Sequence, residues 1–165
     1  MTNNSDYSNY LFFWSKKHDF LSNFYPSEFN VGDQHFICSE QYFMKKKQEL
    51  FDSSNIKLAG LIMNEKDPKK IKKFGRMVKN FDEEIWNQHK YQIMYQGVKA
   101  KFTSNPNLRK KLLETKNKIL VEASPYDKIW GIGLNESNAK KKLHTEWPGK
   151  NLLGKVLMQV RQELI

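Results

Sequence analysis

The chain contains one cysteine, no long apolar run and fewer acidic than basic residues. Because Cys38 is alone among 165 residues, it forms no internal disulfide, which indicates a reducing compartment. No apolar stretch approaches the roughly 20 residues of a membrane-spanning helix. Residues 1–5 lack the basic and apolar regions of a signal peptide. We therefore expect a soluble, cytoplasmic protein with no membrane partner.

Metal ligands and nucleotide-cofactor motifs are also scarce. His35 and Cys38 provide at most two ligands, and no second pair stands at zinc spacing. The segment 131–133, Gly-Ile-Gly, lacks the third glycine and the following helix of a dinucleotide-binding fingerprint. The sequence thus predicts a protein that works without a metal ion or a redox cofactor.

Basic residues dominate the charge, with 28 Lys plus Arg against 18 Asp plus Glu and a net charge of +10. Such a surface favours an anionic partner such as a nucleic acid, a nucleotide or a phosphorylated metabolite. The lysine runs at 45–47 and 140–142 are equally well explained as solvated faces. Charge therefore indicates a class of ligand and does not select one.

The order of local patterns predicts an α+β fold, a helix-rich single domain with a small antiparallel sheet over 10–165, preceded by a disordered tail over 1–9. Strands are expected at 11–14, on both sides of a turn at 31–34, and at 119–121. Helices are expected at 40–50, 53–63, from 68, from 82 to 102, from 105, and over the C-terminal stripe ending at Leu164. Ser39 is the expected cap of the first helix, and Ile85, Met94 and Val98 are expected to point inward.

The loop after the strand at 119–121 combines a carboxylate, an indole and two glycines. Core packing does not require this mixture, and Gly131 and Gly133 permit close approaches of the backbone. Asp127 and Trp130 are therefore candidates for holding a flat, polar ligand. The alternative is a surface aspartate that caps a turn beside a structural tryptophan.

A second candidate carboxylate, Glu40, stands at the start of a predicted helix. The helix dipole favours an acid there, so a structural explanation exists. Lys47, however, lies two turns along the same face. Two carboxylates suit a reaction through an oxocarbenium-like sugar cation, in which one stabilises the cation or activates water and the other assists the leaving group. We expect Glu40 and Asp127 to reach one pocket.

An ordered set of motifs extends this interpretation. It comprises 20–26 (FLSNFYP), 39–43 (SEQYF) with Lys47, 74–76 (FGR), 101–102 (KF), 120–133, 149–155 (GKNLLGK) and 157–161 (LMQVR). In order and spacing, the chain resembles the NADAR family, also called the YbiA-like N-glycosidases, from about 12 to 164. The resemblance implies a small α+β domain that hydrolyses N-glycosidic bonds. Its substrates would be riboflavin-pathway intermediates, molecules of NAD or ADP-ribose biology, or ADP-ribosylated guanine.

The resemblance also implies roles for individual residues. Glu40 and Asp127 match the acidic residues of two family motifs and are the expected catalytic pair. The expected substrate-binding residues are Asn23, Phe24, Lys47, Gly75, Arg76, Trp86, Lys101, Trp130 and Gly131. Two departures stand out: Gln41 replaces a common histidine, and 116–117 (Lys-Asn) replaces a Thr-Gly-like turn.

Physical chemistry suggests how these residues divide the work. Arg76 offers a two-pronged fork for phosphate, with Lys47 and Lys101 as less directional charges. Trp130 or Trp86 would stack the heterocycle. Structural alternatives remain: Arg76 as a residue that ends a helix, Trp86 as a core residue, and 23–24 as residues that merely shape a loop.

Two classes of function follow. The first is an N-glycoside hydrolase acting on a phosphorylated ribosylamine or an ADP-ribosyl substrate, including ADP-ribosylated DNA. The second is a non-catalytic module that binds ADP-ribose, NAD or nucleic acid. Paired carboxylates favour the hydrolase, because they would repel the anionic ligand of a simple binder. A general DNA-binding protein is disfavoured, since no helix-turn-helix or zinc-finger pattern is present.

Overall fold

A computed structural model describes residues 6–165 and has a helix-rich α+β architecture. In chain order its main elements are β1 (Tyr10–Phe13), β2 (Phe29–Val31), β3 (Gln34–Phe36), α1 (Ser39–Phe51), α2 (Ile56–Asn64), α3 (Pro68–Gly75), α4 (Glu83–Ser104), α5 (Pro106–Glu114), β4 (Ile119–Glu122), α6 (Glu136–Ala139) and α7 (Leu152–Glu163). Within the described residues, no helix is both long enough and apolar enough to cross a bilayer.

The elements form two compact units. The first comprises residues 6–22 and Leu108–Ile165, and the second comprises Asn23–Asn107. The single-domain organisation expected from sequence stays a prediction. Of the expected disordered tail, residues 1–5 lie outside the described part of the chain, while Tyr7 stacks on Trp147 with ring centroids 5.6 Å apart.

The first unit is built on a parallel pair of strands, β1 and β4, in which Phe12 stands opposite Val121. Its core continues through Ala123, Ile132 and Ala139. Helix α7 packs on β4 so closely that a Cβ on Gly154 would lie 2.1 Å from the Leu120 carbonyl oxygen. The apolar stripe predicted for this helix is confirmed, since its members are buried: Leu153, Val156, Leu157, Val160 and Leu164.

The second unit is organised around α1, which packs against α2, α3 and α4. The antiparallel hairpin of β2 and β3 contributes Phe29 and Phe36, which cluster with Tyr42 of α1. Helix α4 approaches α1 through Gly97, where a Cβ would lie 2.4 Å from Tyr42 Cδ1. A glycine is therefore needed at this helix crossing.

Local sequence signals explain most element boundaries. The hairpin turn contains Gly32 with φ 61°, a backbone conformation that glycine adopts readily. The carboxylates of Asp67 and Asp82 accept the backbone N–H groups of Lys69 and Ile85, capping α3 and α4. The predicted hairpin, the two aspartate caps and the small antiparallel sheet are confirmed.

Three local expectations were wrong. Ser39 does not cap α1: it is the first helical residue, and Cys38, with an extended backbone, is the N-cap. Ile85 is 41% exposed, because it stands nine residues before Met94, which places it on the opposite face of α4 from that buried residue. Helix α2 was expected to begin at 53 but begins at Ile56, because the Asn55 side chain caps it by accepting the Leu58 N–H. The parallel pairing of β1 with β4 adds a second pair of strands to the predicted antiparallel one.

Candidate active site

Glu40 occupies the first turn of α1 and is only 6% exposed. Its backbone N–H donates to the Asn23 carbonyl oxygen at 3.0 Å, which ties the helix start to the loop of another predicted site residue. Two nearby oxygen atoms, Asn23 Oδ1 and Ser39 Oγ, are buried without a hydrogen-bond partner among the described residues. Such atoms are uncommon in folded proteins, and a ligand is one way to satisfy them.

Lys47 lies two turns further along α1 and links the helix to the end of α3. Its ammonium donates to the Gly75 carbonyl oxygen at 2.9 Å. Burial lowers the pKa of Lys47, nearby Glu40 raises it and nearby Arg76 lowers it. The ammonium is therefore within electrostatic reach of both a carboxylate and a guanidinium.

Arg76 is exposed at the C-cap of α3. Its position depends on the preceding glycine, because a Cβ on Gly75 would lie 1.9 Å from Met44 Sδ of α1. The Gly-Arg pair thus combines close packing on α1 with a guanidinium presented to solvent.

The aromatic residues near Lys47 differ in exposure. Trp86 is buried, with its ring centroid 5.0 Å from that of Phe43 and 6.1 Å from that of Phe51. Phe81 is 47% exposed and lies closer to the cation, with 4.7 Å between its ring centroid and Lys47 Nζ, against 5.9 Å for Trp86. Sequence reasoning missed Phe81, because it precedes the cap of α4 and belongs to no helical stripe.

Lys101 and Phe24 also lie in the second unit. Lys101 is 1% exposed, and its ammonium is 5.7 Å from the ring centroid of Tyr25. The Lys72 ammonium is 6.0 Å from the Phe24 ring centroid. Burial raises the pKa of the Cys38 thiol to about 11; Glu40 raises it further and Lys101 lowers it. Both charges therefore act at the same thiol.

Asp127 belongs to the first unit, where its carboxylate organises a turn. Asp127 Oδ1 accepts the backbone N–H groups of Ile129 and Trp130, both at 2.8 Å. Gly131 follows in a crowded position, since a Cβ would lie 3.0 Å from the Asp127 and Glu122 carbonyl oxygens. This carboxylate has the turn-forming role that sequence reasoning held as the alternative, and its catalytic role stays a prediction.

The Asp127 turn is held against the start of α7. Five consecutive backbone N–H groups, at positions 149–153, donate to carbonyl oxygens of the turn, at positions 128–132. Asn151 adds two side-chain bonds to β4, accepting from Glu122 N–H and donating to the Leu120 carbonyl oxygen. Two motifs that are separate in sequence thus form one substructure, which the sequence alone did not indicate.

The predicted site residues therefore fall into two groups. The second unit brings together Glu40, Lys47, Gly75 and Arg76, with Asn23, Phe24, Trp86 and Lys101 in the same unit. The first contains Asp127, Trp130 and Gly131. That Glu40 and Asp127 share a pocket stays a prediction. Among the described residues, no group of three or more His, Cys, Asp or Glu side chains is arranged to hold a metal ion.

Comparison with known proteins identifies the family to which this arrangement belongs. The sequence model of the family described as NADAR domain matches residues 12–165. The chain belongs to the NADAR family. The resemblance inferred from the motifs is thereby confirmed over nearly the whole sequence.

Several named proteins are similar to the chain. N-glycosidase R617 of Acanthamoeba polyphaga mimivirus is 50% identical over 129 residues, covering 78% of this chain and 74% of that protein. N-glycosidase YbiA of Shigella flexneri is 31% identical, covering 92% and 86%. Riboflavin biosynthesis protein VVA0006 of Vibrio vulnificus is 29% identical, but the match spans only 38% of its length.

A solved structure confirms the fold class. The NMR structure of Escherichia coli YbiA superimposes with a TM-score of 0.73 at 30% identity, covering 93% of this chain and 83% of that one. The α+β architecture predicted from sequence is therefore that of a NADAR protein of known structure.

Proposed function

We propose that this NADAR protein hydrolyses the N-glycosidic bond of a phosphorylated ribosylamine or of an ADP-ribosyl compound. The observation that carries the proposal is the grouping of a buried carboxylate, Glu40, with Lys47 and Arg76 at the junction of α1 and α3. The hydrolase class has independent support, because relatives over most of the chain are named N-glycosidases.

Glu40 is suited to the reacting end of the substrate. A carboxylate next to the anomeric carbon stabilises positive charge that develops on the sugar, or removes a proton from the attacking water. Lys101 is a second buried charge in the same unit, and its ammonium and the Glu40 carboxylate both act on the Cys38 thiol. Asn23 Oδ1, a buried acceptor without a hydrogen-bond partner in the described range 6–165, suits a ribose hydroxyl.

Arg76 and Lys47 are suited to the anionic end. The exposed guanidinium binds phosphate through two parallel hydrogen bonds, while Lys47 contributes charge without fixed direction. These cations also offset the repulsion between Glu40 and a phosphate. Phe81 is an exposed ring beside the same cation and provides a stacking surface that the buried Trp86 lacks.

The relatives' names narrow the candidate substrates. VVA0006 and the chloroplastic PYRR protein of Zea mays are named riboflavin biosynthesis proteins, although the chain spans 38% and 23% of them. A phosphorylated ribosylaminopyrimidine from that pathway is therefore one candidate. Its phosphate, sugar and heterocycle match the cation, carboxylate and aromatic groups of the site. ADP-ribosylated guanine has the same three parts and is the other candidate.

The test is to incubate the purified protein with four compounds and to measure release of free base and free sugar. The compounds are a ribosylaminopyrimidine phosphate, NAD, ADP-ribose and ADP-ribosylated DNA. Glu40→Gln preserves size and most hydrogen bonding, so we expect it to bind substrate while turnover falls about 100-fold or more. Glu49→Gln makes the same change of carboxylate to amide in the same helix and is the control, because the Glu49 carboxylate pairs with Lys45 and Lys46 and has no proposed catalytic role.

Three outcomes discriminate. Turnover of one substrate by the wild type, lost in Glu40→Gln with binding retained, supports the proposal. Binding without turnover of any compound supports a non-catalytic module. Full turnover by Glu40→Gln removes Glu40 from the mechanism.

A further inference from the structure

The first unit contains a groove of about 540 Å³ that the proposed reaction does not use. It lies beside β1 and α6, and none of the predicted site residues is among the described residues that line it. Its lining includes Phe12, Phe13, Trp14, Lys17, Glu136 and Lys140. The groove therefore combines an aromatic wall with charged groups.

The turn that presents Trp14 and Lys17 has an uncommon backbone. Trp14 and Lys17 exchange both backbone hydrogen bonds, at 3.0 and 3.2 Å. Ser15 and His18 adopt φ values of 53° and 51°, in the left-handed region that non-glycine residues seldom occupy. Strain of this kind persists where the surrounding structure fixes a conformation, and it is concentrated at binding sites.

Exposed aromatic rings extend the groove. Trp14 is 39% exposed, and Tyr126 is 88% exposed with its ring centroid 6.4 Å from that of Trp14. Large exposed rings are costly to solvate, and these two, whose planes are inclined by 55°, present separate faces on which two bases can stack. Because every nucleobase has a flat π-face, such a pair suits bases without selecting their sequence.

The charges of the groove are positive on balance. Lys17 and Lys140 both donate to Glu136, at 2.7 and 2.8 Å, so two cations share one carboxylate. The segment 140–142 adds exposed lysines. The backbone of this segment is held at both ends. Trp147 Nε1 donates to the carbonyl oxygen of Ala139, which precedes the segment, and the Tyr7 hydroxyl donates to the carbonyl oxygen of Lys142. Fixed cations next to exposed rings match a backbone of phosphates joined to bases.

We propose that this groove binds single-stranded nucleic acid, with bases stacked on Trp14 and Tyr126 and phosphates next to Lys17 and Lys140. The proposal is independent of the hydrolase reaction. A strand fits better than a single nucleotide, because the rings, the lysine pair and the 140–142 segment form an extended surface rather than one enclosed point.

The test is fluorescence anisotropy with a labelled oligothymidine of about 12 nucleotides, a length that one such binding surface accommodates. Trp14→Ala and Tyr126→Ala should each weaken binding by about 5- to 150-fold, the range for loss of one stacked base. Trp14→Phe and Tyr126→Phe keep a ring and should bind nearly as the wild type does. Circular dichroism checks that each variant folds.

Two further variants test whether a lysine contacts a phosphate and whether the groove is distinct from the proposed hydrolase site. Lys17→Ala should reduce the slope of log affinity against log salt by about 0.7, the contribution of one phosphate on a single strand. Lys110→Ala is the matched control, since Lys110 also faces a glutamate, Glu114, at 4.0 Å. Glu40→Gln should bind the oligonucleotide like the wild type, which separates this surface from the proposed hydrolase site.

Several results would overturn the proposal. One is the absence of oligonucleotide binding at low salt. Another is an affinity of Trp14→Ala and Tyr126→Ala equal to that of the wild type. A third is a reduction of the salt slope in Lys110→Ala as large as that in Lys17→Ala. If thymidine monophosphate bound as tightly as the oligonucleotide, the ligand of the groove would be a mononucleotide and not a strand. Retained substrate hydrolysis in Trp14→Ala would show that its binding defect is not a loss of the hydrolase site.

Discussion

At the scale of single residues, the two candidate carboxylates have different surroundings. Glu40 is buried at a helix start, whereas both bonds that the structure gives the Asp127 carboxylate are made by one oxygen, Oδ1, to the backbone of its own turn. A turn-forming acid and a catalytic acid are not exclusive, since Oδ2 is the second oxygen of the same group. Substitution by asparagine separates the two roles.

Asp127→Asn keeps an acceptor oxygen for the Ile129 and Trp130 N–H groups, so we expect the fold to survive. If Asp127 assists the leaving group, turnover should fall about 100-fold or more. Steady-state kinetics with whichever of the four test compounds the wild type hydrolyses, beside a thermal unfolding curve, measures both effects. Asp127→Asn with wild-type turnover would leave Asp127 with its structural role alone.

Arg76→Ala should raise KM for a phosphorylated substrate far more than for its dephosphorylated form. The expected difference is about 1.5–3 kcal/mol, the range for a lost charge-assisted hydrogen bond. Lys79→Ala removes an exposed cation from the same segment and serves as the control. Equal effects of Arg76→Ala on both substrate forms would exclude Arg76 from the phosphate site.

At the scale of elements, glycines set how closely the helices approach. Gly97 of α4 lies against the Tyr42 ring of α1, while Gly60 of α2 has only Asn64 Nδ2, at 3.9 Å, near its Cβ position. Both positions are glycines within helices, but a Cβ would clash at Gly97 and would meet no clash at Gly60. They therefore form a matched pair.

Gly97→Ala should lower the free energy of unfolding by about 1–3 kcal/mol, the usual cost of an overpacked core. Gly60→Ala should raise it by about 0.5–1 kcal/mol, because alanine has the higher helix propensity and meets no clash. Urea unfolding of both variants measures the difference. A stabilising Gly97→Ala would contradict the close crossing of α1 and α4.

Sequence reasoning was most successful where the signal is local. The Asp67 and Asp82 caps, the hairpin at Gly32 and the stripe of α7 each depend on residues within one turn or one face, and all are confirmed. It failed at Ser39, where a good cap residue stands one position too late. The structure placed Lys47 next to Gly75, and it paired 149–153 with 128–132. Such contacts between distant segments have no periodic signal.

At the scale of the whole molecule, one buried thiol links stability to pH. Cys38 is 1% exposed, and burial raises its pKa from 9.0 to about 11. Between these values the folded chain keeps a proton that the unfolded chain has lost. The free energy of unfolding should therefore fall as pH rises from about 9 to about 11.

Replacing Cys38 by alanine removes this contribution of the thiol to the pH dependence of the free energy of unfolding. We expect urea unfolding of the wild type to lose about 1.4 kcal/mol more than Cys38→Ala for each pH unit within that window. The difference between the two proteins cancels the titration of other groups. Parallel pH curves for the two proteins would show that the thiol is not held in its protonated form.

The pairing of β1 with β4 has a consequence for the order of events during synthesis. Strand β1 ends at Phe13 and β4 begins at Ile119, so its partner leaves the ribosome roughly 100 residues later, about 5–20 s at typical elongation rates. The segment Asn23–Asn107, which is continuous in sequence, is complete before that moment. We therefore expect the group formed by Glu40, Lys47, Gly75 and Arg76 to assemble co-translationally. The apolar residues of β1 stay unpaired until β4 is synthesised, and we expect them to be the segment that a chaperone acting on nascent chains binds.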